Sequence, residues 1–488
     1  MYSYDLPNRR SKTPCAELVA PAVSLARDFC LETSMHGFRH VAESRRHWIE
    51  RLLWVCAAAL AIWGAVHVSL GQLQRYNESP TVVTLEKDFR SWQFSLPAIT
   101  ACHKNRTDSS KLEEVIRDTW NVDPSDENYG YYSRFVRAVT DSDVLTLGLY
   151  DEYAADTSLD VDLFQLALDA MPDIDIKTTV ENKNVFMKWI PVMTEFGVCY
   201  SINSLAVADS TLTKLHPNDT VMYPLTCKYG GTSSCLVMLQ VNDHYNFYYH
   251  SPYDLVDITT PHVYVFPGYV RTVELSVVET ECGRGVKELS PARRACLFND
   301  EPFQNRKVYS TNACRQSCRS KLALQLCKCV PFYYFYDHGP PCSPSGMACL
   351  AQFAQNLTST GGHKCSCDTQ CLYSVFREVT YSDQFWDRGP WSTQGSVKYI
   401  VQPPKIKYTR EIVFHFQDLV VSFGGAAGLF LGASFISIVE VVFFLLERIL
   451  GAVSVQDKSP PEIVRNVHWR TRESRRTKRI GLWSSTQC

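Results

Sequence analysis

Two stretches of this 488-residue chain stand apart by their unbroken apolar character. The first, residues 52–70, reads LLWVCAAALAIWGAVHVSL and contains no Asp, Glu, Lys or Arg. A helix of that length rises about 28 Å, close to one hydrocarbon thickness. Trp48, Trp54 and Trp63 add amphipathic rings of the kind that favour membrane interfaces. The second, residues 419–446, carries one charge, Glu440, and glycines at 424, 425, 428 and 432, with a further one at 451. It is longer than a straight span needs and rich in a poor helix former, so a tilt or a break is expected. Between the two, the pattern shortens. Residues 235–241, 262–266, 271–278 and 399–402 read as strands, and residues 110–119, 159–170 and 313–326 as helices.

The expected fold class is therefore α+β, with two transmembrane helices flanking a large ectodomain of β-core and peripheral helices. The expected divisions are a tail over 1–47, a first membrane helix over 48–71, an ectodomain over 72–411, a pore-lining second membrane helix over 412–447 and a tail over 448–488.

Charge sets the orientation. Residues 1–47 hold seven Lys/Arg against five Asp/Glu, residues 447–488 nine against four, and residues 71–411 32 against 39. Basic flanks stay inside, so both termini are expected in the cytoplasm and the acidic middle outside the plasma membrane. No apolar signal-peptide core precedes the first run, which should act as an uncleaved anchor. Sequons at Asn77, Asn105, Asn218 and Asn356 all fall in the middle segment, as do fifteen of the 19 cysteines. Glycosylation and disulfides both suit an extracellular setting. A formal net charge of −2 argues against a nucleic-acid partner. The basic stretch 470–479 suits anionic lipid or a plain solvated tail.

Ten cysteines lie between Cys296 and Cys371. Such density reads as a disulfide ladder stiffening a module with little core. The spacings Cys314-x3-Cys318 and Cys365-x-Cys367-x3-Cys371 also resemble zinc ligation, but the extracellular setting favours disulfides, and no metal is expected. The odd total of fifteen leaves one thiol free or bridged between chains.

In the second apolar run, Gly432-Ala433-Ser434 could ring an axis with carbonyl oxygens if several copies assemble, replacing part of a cation's hydration. Small-residue helix packing explains the same residues equally well. Glu440 shifts the balance, because an intramembrane carboxylate costs roughly 2.5–3.5 kcal/mol on the scale of the comparable Asp. It is expected to face a partner or water, although a carboxylate near a helix end also snorkels. Two spans cannot enclose a pore, so conduction requires an oligomer. The competing classes are a two-pass receptor or adhesion protein, a trimeric ATP-gated channel and an ectoenzyme. No Gly-x-Ser-x-Gly or His-Glu-x-x-His motif supports the last, and no enzymatic activity is expected.

Several motifs occur in a telling order: Phe29-Cys30, Thr33 and His36-Gly37; Leu96-Pro97-Ala98-Ile99-Thr100 followed by Cys102; Gly197-Val198-Cys199-Tyr200-Ser201-Ile202-Asn203; the ten-cysteine run; and Gly432-Ala433-Ser434. Over residues 29–447 the chain resembles the epithelial sodium channel/degenerin superfamily, and within it the insect pickpocket branch most. The resemblance implies a trimeric, voltage-independent, sodium-preferring cation channel subunit, amiloride-sensitive and gated by an extracellular chemical or mechanical stimulus. Its partners would be related subunits in a homo- or heterotrimer, the bilayer and an unidentified extracellular ligand. No cofactor is implied beyond sodium as the permeant ion. Palm, thumb, finger and knuckle regions are implied, with a β-core palm. So are the pairs Cys102–Cys199, Cys296–Cys371, Cys314–Cys367, Cys318–Cys365, Cys327–Cys349 and Cys329–Cys342. Cys227–Cys235 is taken as a local bridge, which leaves Cys282 unpaired.

By the same resemblance Gly432, Ala433 and Ser434 form the selectivity filter. His36, Gly37, Val421, Ser422, Gly425 and Glu440 are pore and gating positions. Val421 is bulky where many members are small, which implies a raised resting open probability. Ser422 stands where acid-sensing members carry Asp, and Arg293 where they carry a wrist Trp. The first departure weakens any extracellular cation vestibule; the second puts the coupling of thumb to pore, and proton gating, in question.

Overall fold

The computed structural model describes residues 14–87, 93–180, 187–214, 223–228, 235–304, 306–359, 365–389 and 391–455. Asn218 and the basic stretch 470–479 lie outside the described residues. The chain divides into two compact units, Met1–Leu70 with Val420–Cys488, and Gly71–Leu419.

The first unit is helical. It contains Pro14–Glu32, the short Phe38–Ala42 and most of the helix Trp48–Glu78. That last helix is long and apolar enough to cross a membrane. It continues beyond residue 71 to Glu78 through Gln72, Gln74 and Arg75, which are good helix formers, and ends just before Pro80.

The second apolar run is two helices, Phe416–Leu431 and Phe435–Val455, bent by 77°. Taken together the bent pair is as apolar as a span, in the form of a broken span or a re-entrant loop. The helical region starts at Phe416 rather than at 412 and runs past 447, and its break falls on Gly432-Ala433-Ser434. The sequence explains the break. Gly432 adopts φ +61°, and its N–H donates to Gly428 O at 3.0 Å, a left-handed C-terminal cap that glycine accepts without steric cost. Ser434 then caps the next helix. Its Oγ accepts from Ser437 N at 3.4 Å, and its own N–H donates to Ser437 Oγ at 3.1 Å, a reciprocal capping box. Helix contact uses small residues too. A β-carbon at Gly64 would lie 2.7 Å from Phe430 Cε1, so Gly64 admits that ring.

The second unit joins two main sheets and a helical cluster. The seven-stranded sheet runs Thr81–Glu86, Lys407–Ile412, Tyr269–Cys282, Gly395–Gln402, Cys235–Val241, Ile176–Val180, with Tyr373–Phe385 on the other edge of Tyr269–Cys282. The five-stranded sheet runs His262–Val265, Tyr245–His250, Ala98–His103, Gly197–Ile202, Ile190–Thr194. Cys235–Val241 alternates buried and half-buried positions, whereas every residue of Ala98–His103 is buried. Val237, Leu239, Val273 and Tyr399 of the first sheet share a core with Phe247 and Tyr249 of the second.

The helices Ser109–Trp120, Tyr129–Thr140, Leu163–Asp169, Thr311–Cys327 and Pro344–Ala351 share another core. Side-chain caps set several of their starts. Asp108 accepts from Ser110 and Lys111, Asp162 from Phe164 and Gln165, and Ser310 from Ala313. The cap at Asp162 is why helix begins at Leu163 rather than at the expected 159; residues Thr157–Leu159 form a separate 3₁₀ turn.

Seven disulfides cross-link this unit: Cys102–Cys199, Cys227–Cys235, Cys296–Cys371, Cys314–Cys367, Cys318–Cys365, Cys327–Cys349 and Cys329–Cys342. Among the described residues Cys30, Cys56 and Cys282 keep free thiols. Asn77, Asn105 and Asn356 are exposed.

Candidate functional site

The helix break at residues 432–434 does not stand alone. Residues 33–37 turn back onto it. Thr33 N–H donates to Phe29 O at 2.9 Å, continuing the hydrogen-bond pattern of the preceding helix by one residue, and Met35 N–H donates to the Thr33 hydroxyl at 3.3 Å. His36 N–H then donates to Leu431 O at 3.0 Å, satisfying a carbonyl at the end of Phe416–Leu431. The His36 imidazole lies directly on Gly432. A β-carbon there would come within 2.3 Å of His36 Nδ1. Gly37 follows at φ +84°, again a glycine conformation, and faces the Trp54 ring, which also meets the His40 ring at a tilt of 42°, with centroids 4.7 Å apart.

On the far side of the break, Ser34 holds Glu440. Its Oγ donates to Glu440 Oε2 at 2.8 Å and its N–H to the same oxygen at 3.2 Å. The Ser34 and Ser437 hydroxyls lie 3.0 Å apart. Ser437 is buried and also belongs to the capping box of Ser434. Glu440 is thereby tied, through Ser34 and Ser437, to the residues of the break. Phe29 against Phe444, with ring centroids 5.4 Å apart, and Asp28 paired with Arg448 at 3.1 Å continue the same helix contact.

The consequence for chemistry lies in the backbone. Ser434 O accepts from Ile438 N at 3.3 Å, but among the described residues the carbonyls of Gly432 and Ala433 accept no hydrogen bond. Those two carbonyl oxygens keep their capacity to accept among the described residues. Such oxygens can take the place of water around a cation, and an irregular backbone at membrane depth is tolerated only where it lines water or protein.

The structure thus brings His36, Gly37, Gly432, Ala433, Ser434 and Glu440 into one neighbourhood. Val421, Ser422 and Gly425 are elsewhere on Phe416–Leu431. Gly425 precedes Gly432 by about 10 Å of helix and Val421 by about 16 Å. Val421 is exposed, and a β-carbon at Gly424 or Gly425 would meet nothing within 4 Å. Ser34 and Ser437 join the site without having been singled out in the sequence. Ser437 has a signal, its capping spacing from Ser434. Ser34 has none, because its role depends on a contact 406 residues away.

The second unit holds two further charged arrangements. Arg293 Nη2 donates to Tyr76 O at 3.0 Å, and its guanidinium lies 4.3 Å over the Tyr76 ring. Arg293 therefore meets the last turns of Trp48–Glu78 by cation–π contact and a hydrogen bond. Tyr76 in turn meets Phe414 edge-on, 6.4 Å away.

Deeper, Arg319 donates in bidentate fashion to Glu195, with both contacts at 2.6 Å, and also pairs with Asp257; the Tyr334 hydroxyl donates to Glu195 at 2.5 Å. Both carboxylates are almost fully buried. Burial opposes the Arg319 cation, but the flanking carboxylates outweigh it and raise its pKa.

The amiloride-sensitive sodium channel family model matches residues 29–444. Among curated relatives, pickpocket protein 28 of Drosophila melanogaster is 22% identical, over 85% of this chain and 77% of its own length. Pickpocket protein 19 of the same fly is 22% identical, over 86% and 90%. The human bile acid-sensitive ion channel is 22% identical, over 86% and 85%. A solved proton-activated chloride channel aligns with a TM-score of 0.25 and 7% identity, over 81% of this chain and 96% of that one, too weak a likeness to inform the fold. With its family model matched from residue 29 to residue 444, the chain belongs to the amiloride-sensitive sodium channel family, a family of ion channels rather than enzymes.

Proposed function

We propose that the chain is a pore-forming subunit of a trimeric, sodium-preferring, voltage-independent and amiloride-sensitive cation channel of the plasma membrane. It has two membrane spans, cytoplasmic termini and an extracellular unit that receives a chemical or mechanical stimulus. The observation that carries the reading is the helix break at Gly432-Ala433-Ser434, where the Gly432 and Ala433 carbonyls accept no hydrogen bond among the described residues. Around a threefold axis, copies of this break supply a ring of oxygens, and Glu440 places a carboxylate six residues farther along the chain. The His36 contact lets the N-terminal segment act on the break directly. Family membership and the pickpocket and bile acid-sensitive relatives support the same reading.

The test is voltage clamp of oocytes expressing the chain, first alone and then with related subunits. A current carried by sodium, lost when a large organic cation replaces it and blocked by amiloride, is the expected result. Surface-expressed protein that yields no such current in either setting, under chemical and mechanical stimulation, would overturn the reading.

A further inference from the structure

The unpaired thiol of Cys282 is not isolated. It ends the strand Tyr269–Cys282, and its Sγ lies within 4.8 Å of both sulfurs of the Cys296–Cys371 disulfide. The strand register explains why. Tyr269–Cys282 pairs antiparallel with Tyr373–Phe385, and the last pair is Thr280 with Tyr373. Two residues farther along the same register, on the same face, stand Cys282 and Cys371. Residues directly opposite in an antiparallel ladder have Cα atoms about 4.5–5.5 Å apart, inside the range a disulfide bridges. The Cys282 thiol already donates to Cys371 O at 3.4 Å. Cys282 also packs on the small cluster of Cys296, Phe298 and Cys371.

We propose that Cys282, Cys371 and Cys296 form a thiol–disulfide exchange site that holds its cross-link in either of two positions. The Cys282 thiol gives its proton to solvent, and the thiolate attacks Cys371 Sγ. The Cys282–Cys371 bond forms, the Cys296–Cys371 bond breaks, and Cys296 leaves as a thiolate that takes up a proton. One disulfide and one thiol stand on each side, so the step needs no oxidant or reductant.

The two positions differ in what they hold. In the first, the link ties the segment after Pro291–Arg294, the short helix that carries Arg293, to Cys371. In the second, the link staples the end of Tyr269–Cys282 to the residues just before Tyr373–Phe385, and the Arg293 segment is held to Cys371 by noncovalent contacts such as the hydrogen bond from Cys371 N to Leu297 O, at 2.9 Å. Burial raises the pKa of Cys282, while Arg410 and Arg294 partly offset that. Exchange is therefore slow at neutral pH and quickens about tenfold per pH unit below the thiol's pKa.

Disulfide mapping of the full-length protein tests this. After incubation at pH 7 or 8.5 and acid quench, free thiols are alkylated and peptides identified by mass spectrometry. The expected result is two populations, one with free Cys282 and one with free Cys296, approaching equilibrium faster at pH 8.5. Cys282→Ser should leave Cys296 unlabelled at both pH values. Cys296→Ser, folded in the oxidising secretory pathway, should carry a bond between Cys282 and Cys371. Wild-type protein whose Cys296 stays unlabelled throughout would overturn the proposal. So would a surface-expressed Cys296→Ser protein whose Cys282 and Cys371 are both freely alkylated.

Discussion

At Gly432 the backbone takes φ +61°, and the His36 ring fills the space a β-carbon would need. Gly432→Ala would meet strain in the left-handed region of about 1–2 kcal/mol and would also displace His36. It is expected to alter the current at unchanged surface expression, as measured by voltage clamp with surface biotinylation. His36→Ala, which vacates the ring's place, should relieve the clash in the double variant.

A different residue-scale effect concerns pH. Burial pushes His250 down to about 4, with Nδ1–H donated to Ser251 O and Nε2 lying 2.9 Å from the Thr100 hydroxyl. Between pH 4 and 6.5 the folded state then binds fewer protons at this residue than the unfolded state. Acidification therefore costs stability, on the order of 3 kcal/mol once complete. Asp254, pushed up to about 6 by burial, has the opposite sign over roughly pH 4–6 and gains stability on acidification. In thermal unfolding of the solubilised chain between pH 4 and 7, His250→Gln should flatten the acid loss and Asp254→Asn should steepen it.

At this scale the sequence was legible where chemistry is local. Gly432 and Ser434 announce a cap on each side of a break. Ser34, by contrast, acquires its role only from a distant carboxylate.

Elements carry the next set of consequences. Arg293 links the short helix Pro291–Arg294 to the last turns of Trp48–Glu78 through Tyr76. Removing the side chain in Arg293→Ala should weaken the response to stimulus without removing protein from the surface. Arg293→Trp, which restores an aromatic contact, should recover part of it; dose–response recordings measure both. The helix Thr311–Cys327 is fixed to the neighbouring strands and loops by the Arg319 pair with Glu195 and Asp257. Arg319→Met leaves two buried carboxylates uncompensated and should cost about 3–5 kcal/mol, enough to deplete surface protein in a biotinylation assay. Adding Glu195→Gln and Asp257→Asn should restore part of it.

Element types were readable from periodicity, but their ends were not. The first span continues past its apolar stretch because polar helix formers follow, and the helix expected at 159 waits for its Asp162 cap. Disulfide pairing could not come from spacing, since ten clustered cysteines allow many connectivities; it came from the resemblance.

For the whole molecule, the two apolar runs foretold the long apolar helix and the bent helix pair found there, and the ordered motifs pointed to the family. What sequence could not reveal is that the N-terminal turn and the helix break form one site, because the two lie some 400 residues apart and meet only through folding. The central claim is that residues 432–434 set which ion passes. The most direct measurement is the reversal potential of the expressed channel when external sodium is exchanged for potassium, compared between wild type, Ser434→Ala, Gly432→Ala and Val421→Gly. The account predicts a shifted reversal potential in the first two variants. It predicts a changed current size with an unchanged reversal potential in the third, whose side chain lies about 16 Å of helix away. Intact currents with the wild-type reversal potential in both Ser434→Ala and Gly432→Ala would contradict it.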